Sequence, residues 1–301
     1  MSTHALKVLP DENDRRLDIF LTKNLADISS RSFVQKLIES GYVSVNGTIV
    51  KSKYKVQAGD RIQVDISEDF LTPEHLEPEN IPLDIFYEDE SLLIVNKASG
   101  LVVHPANGHY SGTLVNALLY YCKNLSDFNS ALRAGIVHRL DRETSGLMVV
   151  AKDNKTHARL AKQFEEHVVY KKYVALVEGK IEFDEGKIEA PLGRHPVHHD
   201  KKIIDFEDEL AKDALTFYRV MKRTKDATLV ALFPKTGRTH QLRVHMAHIK
   251  HPILGDDKYG KRNSFSRLAL HAQALGFIHP KNKKYVEFSS VVPKEFMDRV
   301  K

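Results

Sequence analysis

Two short stretches gather residue types able to break and make covalent bonds. The first, 138-HRLDRETSG-146, sets Asp141 among the cations Arg139 and Arg142, on a tight loop between a turn at Gly135 and a strand over 147–151. Binding and catalytic groups concentrate on loops of this kind. An Asp that only closes a turn with its own side chain would explain the residue equally well. The second stretch is 234-PKTGRTHQLRVHMAHIKHP-252. Gly237 marks a turn, Thr239 is placed to cap a helix, and Leu242, Met246 and Ile249 form that helix's apolar stripe. Arg238, His240, Gln241 and Arg243 crowd its first turns. Cations there oppose the helix macrodipole, so they call for a carboxylate or phosphate partner.

Two other chemistries compete for these residues. His245, His248 and His251 recur every three positions with His240 upstream, a spacing that could put imidazoles on one face. The HExxH spacing is missing, and Arg238, Arg243 and Lys250 would repel a cation, so no metal is expected. Asp141 and Glu143 could suggest a glycosidase pair, but residues two apart in an extended loop need not converge on one bond. Glu143 is expected in solvent or paired with Arg142.

The elements that must position these groups fall into two modules. Strand-like runs at 84–88, 92–97, 146–152, 172–179, 214–222, 227–233, 274–278 and 285–290 outnumber helices expected near 113–122, 154–166 and 238–250. Consecutive strands favour an α+β fold with a mixed, mainly antiparallel central sheet over a doubly wound one. Upstream, Leu17, Phe20, Leu21 and Leu25 repeat at helical spacing, and Phe33, Leu37 and Ile38 do so again after 29-SSRS-32. A strand at 43–45, an Asn46-Gly47 hairpin turn, a strand through Val50 and another at 61–66 complete a small α/β unit. Between the modules, 73-PEHLEPENIP-82 has three prolines and no hydrophobic period, and is expected as an extended linker. The boundaries follow as a small domain over 14–72, a linker over 73–82 and a larger domain over 83–301.

The chain has 301 residues and a net charge of +5, but the charge is segregated. Residues 14–66 carry +3, residues 67–90 carry −9 with no Lys or Arg, and residues 91–301 carry +12. Two basic modules joined by an acidic strip suit a polyanionic partner such as nucleic acid. Hydrophobic residues make up 42% and charged residues 28%, so wholesale disorder is excluded. No apolar run approaches the ~18–20 residues that span a bilayer, and the first residues lack the apolar core of a signal peptide. The single cysteine, Cys122, excludes an intrachain disulfide and a cysteine-based zinc site. A cytoplasmic protein without membrane contact is expected.

The small unit resembles the RNA-binding domain first seen in ribosomal small-subunit protein four, on the pattern RRLDIFL, SRSFVQKLIESGYVSVNG and GDRI. Arg31, Lys36, Lys51 and Lys53 would be its phosphate contacts, which position the RNA without doing chemistry. In the larger module, HRLDRETSG stands with 96-NKASGLVVHP-105, 171-KKYVALVEG-179, 236-TGRTHQLRVH-245, 252-PILGDDKYG-260 and 268-LALHA-272. These six motifs, in this order over about residues 82–290, resemble the RluA/RluD family of pseudouridine synthases, and the layout resembles its large-subunit ribosomal RNA branch.

The resemblance implies a reaction, the isomerisation of uridine in RNA to pseudouridine, with no cofactor and no metal. It puts the family's essential aspartate on Asp141, its paired arginine on Arg243 and its tyrosine, which stacks on the detached uracil and can help proton transfer at C5, on Tyr173. A carboxylate can attack the anomeric carbon or deprotonate the sugar as the base departs, and the residues leave both open. The family arginine that fills the space vacated by the flipped base falls on Arg139, with His138, Arg238, His240 and Gln241 as further RNA contacts. The partner would be large-subunit ribosomal RNA or a pre-ribosomal particle, and the protein a monomer. A synthase acting on transfer RNA, or a non-catalytic assembly factor that keeps the fold, are the alternatives.

Overall fold

The computed structural model describes residues 2–25, 31–66, 78–104, 112–127 and 133–301. Residues 73–77 of the expected linker and the Lys36 side chain lie outside the described residues. The chain divides into two compact units, Met1–His75 and Leu76–Lys301.

In the first unit, helices α1 (Leu17–Asn24) and α2 (Arg31–Glu39) accompany a four-stranded sheet of β1 (Ser2–Lys7), β2 (Val43–Val45), β3 (Thr48–Ile49) and β4 (Arg61–Ile66). The spatial order is β1-β4-β2-β3, antiparallel throughout. Leu17, Phe20 and Leu21 of α1 and Val34, Leu37 and Ile38 of α2 close on Val43, Val45, Ile62 and Val64. Helical and strand periods therefore feed one core. Asn46 and Gly47 both adopt positive φ, as the tight β2–β3 hairpin requires. The strand β1 was not expected. It pairs all six residues with β4 and extends this unit upstream of residue 14. Its sequence STHALK carries too weak an alternation to announce a strand.

The second unit is α+β, as the sequence indicated. Its sheet comprises β5 (Ile85–Glu88), β6 (Leu92–Lys97), β7 (Ser145–Ala151), β8 (Tyr170–Glu178) and β9 (Glu185–Glu189), with β12 (Leu215–Arg223), β13 (Ala227–Pro234), β14 (Leu270–Ile278) and β15 (Tyr285–Ser289). The order is β5-β6-β7-β14-β8-β13-β12-β9, with β15 also on β14. The β7–β14 pairing is parallel and the others are antiparallel. A separate hairpin joins β10 (Leu192–Arg194) to β11 (Lys202–Ile204). Helices α3 (Leu114–Tyr121), α4 (Asn154–Glu165), α5 (Gln241–His248) and α6 (Lys294–Arg299) complete the unit. Among the described residues no helix is long and apolar enough to cross a membrane.

The two faces of β6 and β7 explain why these strands read as unbroken apolar runs. Leu93, Val95, Met148 and Val150 pack with Leu114, Val115 and Leu118 of α3. The alternate residues Leu92, Ile94, Leu147 and Val149 pack with Leu160 of α4. A strand covered on both faces has no polar side to show. Further along the sheet, Val174, Leu176, Val230 and Leu232 meet Leu242 and Met246 of α5 and Phe296 of α6.

The register at the sheet's centre places the site. Tyr173 on β8 lies opposite Ala272 on β14 and Leu232 on β13, and Ser145 at the start of β7 lies beside His271. Gly146 is required at this junction. Its φ is +119°, and a Cβ there would stand 2.3 Å from the Ala272 carbonyl oxygen and 2.5 Å from its nitrogen. Both obstacles are backbone of a paired strand and cannot swing aside. Gly146→Ala is expected to cost about 1–3 kcal/mol or more through overpacking and strain. Thermal unfolding checks this, and a midpoint equal to the wild type would contradict it.

Candidate active site

Asp141 sits on the loop that leads into β7, in a turn closed by the Thr144 N–H donating to the Asp141 carbonyl at 3.1 Å. The motif NKASG holds that loop in place, a role the sequence did not disclose. Lys97, at 2% exposure, donates from Nζ to the carbonyls of Ala98, Leu101 and Arg142 at 2.8, 2.8 and 2.9 Å. Ser99 Oγ donates to the Glu143 carbonyl at 2.7 Å, and the Gly100 N–H to that of Arg142. Burial brings the Lys97 ammonium down to about 8, against the opposing charges of Glu143 and Asp141. Three carbonyls and two nearby acids suit a cation buried without a direct carboxylate contact.

From the other side α5 supplies Arg243. Its side chain is 5% exposed, and Nη1 stands 3.6 Å from Asp141 Oδ2. The expected pairing is therefore present as a charge contact, but Arg243 is gripped elsewhere. Nε and Nη2 each donate to Asp256 at 2.7 Å, and Nη2 also reaches Asp257 at 3.1 Å. Burial would raise the wholly buried Asp256 carboxyl. Arg243 and the Lys258 and Tyr259 backbone N–H groups more than reverse this and hold it below its ordinary value. The bidentate fork fixes the guanidinium plane and leaves Nη1 for the pocket. Asp256 was not foreseen. It lies within the PILGDDKYG motif, which carried the resemblance without a role for this residue.

Tyr173 lines the same pocket, and burial followed by the Asp141 charge raises its hydroxyl well above the ordinary value. His240 precedes α5 in the left-handed region, with φ +59° and no side-chain cap, so Thr239 does not cap the helix as expected. Tyr259 OH accepts from the Lys202 N–H at 2.7 Å, which leaves its hydrogen for His240 Nδ1 at 2.8 Å. In neutral His240 the proton then sits on Nε2, which stands 4.0 Å from Asp141 Oδ2. Burial is the main cause that lowers the His240 pKa, with Asp141 opposing.

Behind β7 a polar chain braces the loop's far end. Arg267 donates to Ser145 Oγ at 3.1 Å, Ser145 meets His271 Nδ1 at 2.9 Å, and His271 Nε2 meets Ser290 at 2.9 Å. Burial, then Arg267, brings His271 down to about 4, so the ring is neutral and structural.

The remaining expected RNA contacts divide. Arg139 is exposed and lines the pocket, and Arg238 lines it while donating to the Asp213 carbonyl. Lys51 and Lys53 are exposed on the first unit. Two assignments change. His138 stacks on Phe164 at 4.5 Å between centroids and accepts the Val149 N–H through Nε2. Burial is the main cause that brings it down to about 3, so it offers the RNA no charge, and Phe164 takes one face of its ring. Gln241 is 4% exposed, with its amide spent on Arg238 N, Thr236, Leu215 and Thr216. It braces the turn internally. Arg31 donates from Nε and Nη2 to the buried Asp18, so it ties α1 to α2 while staying 47% exposed.

The histidines of the second stretch separate. His245 is buried between Thr216 and the Ala190 carbonyl, and His251 meets the Glu178 carbonyl. Among the described residues no three His, Cys, Asp or Glu side chains are grouped to hold a metal ion. Glu143 pairs with Arg142 at 2.7 Å.

Comparison with known proteins places this geometry in a family. Residues 91–248 match the family described as RNA pseudouridylate synthase, and residues 15–62 match the S4 domain. An uncharacterized RNA pseudouridine synthase of Bacillus subtilis (strain 168) is 44% identical, covering 96% of this chain and 94% of its own. The ribosomal large subunit pseudouridine synthase D of Zymomonas mobilis is also 44% identical, covering 98% of this chain and 96% of its own. Among solved structures, human RNA pseudouridylate synthase domain containing 1 superposes with a TM-score of 0.60 at 28% identity, over 76% of this chain and 89% of that one. The chain belongs to the RNA pseudouridylate synthase family and is an RNA pseudouridine synthase with an N-terminal S4 domain.

Proposed function

We propose that this synthase isomerises uridines of large-subunit ribosomal RNA, with Asp141 as the catalytic carboxylate, Arg243 as its cation and Tyr173 as the stacking platform for the detached base. The substrate is carried over from relatives named large-subunit synthases, which match along nearly the whole chain. The basic charge of both modules fits a polyanionic partner. The residue roles rest on one observation above all: the Asp141 carboxylate lines a pocket with Tyr173 and faces Arg243 Nη1, whose other donors are already committed to Asp256.

The reaction breaks the C1′–N1 bond, turns the base and joins C5 to C1′. Asp141 works at the ribose, as nucleophile at C1′ or as base on the sugar, and both roles need the ionised form. Arg243 sets its charge 3.6 Å from that carboxylate. The uridine must leave its stack at a cost of a few kcal/mol, and Arg139 is positioned beside Asp141 to occupy the gap. Incubating the protein with unmodified large-subunit ribosomal RNA and with bulk transfer RNA tests the substrate, with pseudouridines mapped by carbodiimide-dependent reverse-transcription stops. New stops in the ribosomal RNA are expected. Stops in transfer RNA alone would contradict the substrate and leave the chemistry standing.

A further inference from the structure

Strand β8 carries a second side chain into the pocket. Lys171 lies two residues before Tyr173, so the pleat sets both on one face, and both line the pocket with Asp141. Lys171 is partly buried, and its Nζ has no hydrogen-bond or ion-pair partner among the described residues. Arg139 is also without a partner among the described residues but is exposed, and the two other pocket-side arginines are held. Arg243 is held by Asp256, and Arg238 by the Asp213 carbonyl. A partly buried amine left without a partner in a reaction pocket is available to an incoming group.

The isomerisation has a proton step that Asp141, engaged at the ribose, leaves open. Once C5 has bonded to C1′, the C5–H bond must break. Its electron pair returns to the ring, and N1 takes up a proton, so no net proton is consumed. Tyr173 is a poor acceptor, because burial and the Asp141 charge keep its hydroxyl protonated. Lys171 has the opposite bias. Burial, then the charge of Lys235, brings it down to about 8, so a usable fraction is free amine near neutral pH.

We propose that Lys171 is a catalytic residue that accepts, as the free amine, the proton lost from C5 of the rotated uracil, the resulting ammonium returning a proton to N1. Tyr173 then serves as a platform only. This rests on the reading of Asp141 and the pocket given above.

Single-turnover reactions test it, on transcripts of large-subunit ribosomal RNA and transfer RNA made with ordinary or 5-deuterated uridine. Wild type and Asp141→Asn are run first, and turnover by Asp141→Asn would refute the underlying reading whatever Lys171 does. With that control inactive, Lys171→Gln is expected to be slower by ~10²–10⁴-fold, the usual contribution of a positioned base. It should bind RNA as the wild type does and show a larger C5 deuterium isotope effect. Lys171→Arg keeps the charge but stays protonated, so it should be as slow with a wild-type thermal midpoint. Lys171→Arg at the wild-type rate, or Lys171→Gln with weaker RNA binding and an unchanged isotope effect, would overturn the proposal and leave Lys171 as a phosphate contact.

Discussion

Asp141→Asn should yield a folded protein that binds RNA and forms no pseudouridine at a useful rate. The amide keeps the shape of the carboxylate but can neither attack C1′ nor accept a sugar proton, and it offers Arg243 no charge. Loss of an essential catalytic group typically costs ~10⁴-fold or more in turnover. Little stability should go with it. The Asp141 side chain is 21% exposed, so no charge is stranded in the interior. The bidentate bonds from Arg243 to Asp256 are independent of it. The turn at residue 141 is closed by its backbone carbonyl, which Asn retains. Activity, filter binding and thermal unfolding of one preparation would therefore separate, with only the first changed.

Arg243→Ala should lose both activity and stability, for different reasons. Catalysis loses the cation facing Asp141. The fold loses the counterion of Asp256, which is wholly buried and would keep only the Lys258 and Tyr259 N–H groups. Breaking a buried pair from one side costs about 3–5 kcal/mol. The pH dependence gives the cause away. In the wild type the Asp256 pKa is held below its ordinary 3.8, so its contribution is present above that value and is lost as pH falls through the lower folded-state value. Without Arg243, burial is opposed only by the backbone donors and pushes the carboxyl up. The variant then gains stability relative to wild type as pH falls from neutral and Asp256 takes a proton. Denaturant unfolding at neutral and mildly acidic pH checks this, and a gap that stays constant would contradict the stranded charge. Adding Asp256→Asn, which removes the charge and keeps an oxygen for the backbone donors, should restore part of the stability and none of the activity.

Much of this site was legible in the sequence because its logic is local. A helix that opens with Arg238, His240 and Arg243 against its own dipole calls for a carboxylate, and Arg243 has three within reach. Within the loop 138-HRLD-141, Arg139 is exposed and Leu140 buried. His138, expected as an RNA contact, stacks instead on Phe164, far away in sequence, a contact the local sequence does not announce. Lys97 and Asp256 were quoted within motifs but given no role. Their partners are backbone carbonyls and an arginine brought together only by the folded chain. The strands β9 to β11 escaped notice because EGKIE, LGR and KII are short and alternate weakly. The core strands were clear because runs such as LLIVNK and GLMVVA are buried on both faces.

The most direct test of the central claim is release of tritium from ribosomal RNA labelled at uridine C5, with enzyme in excess, for wild type and Asp141→Asn side by side. Joining C5 to C1′ expels the C5 hydrogen, so release reports the isomerisation itself. The wild type should release label in a single turnover, and Asp141→Asn should release none while retaining the same RNA on a filter. Release by Asp141→Asn at the wild-type rate would show that another group performs the chemistry, and that the contact between Asp141 and Arg243 is only structural.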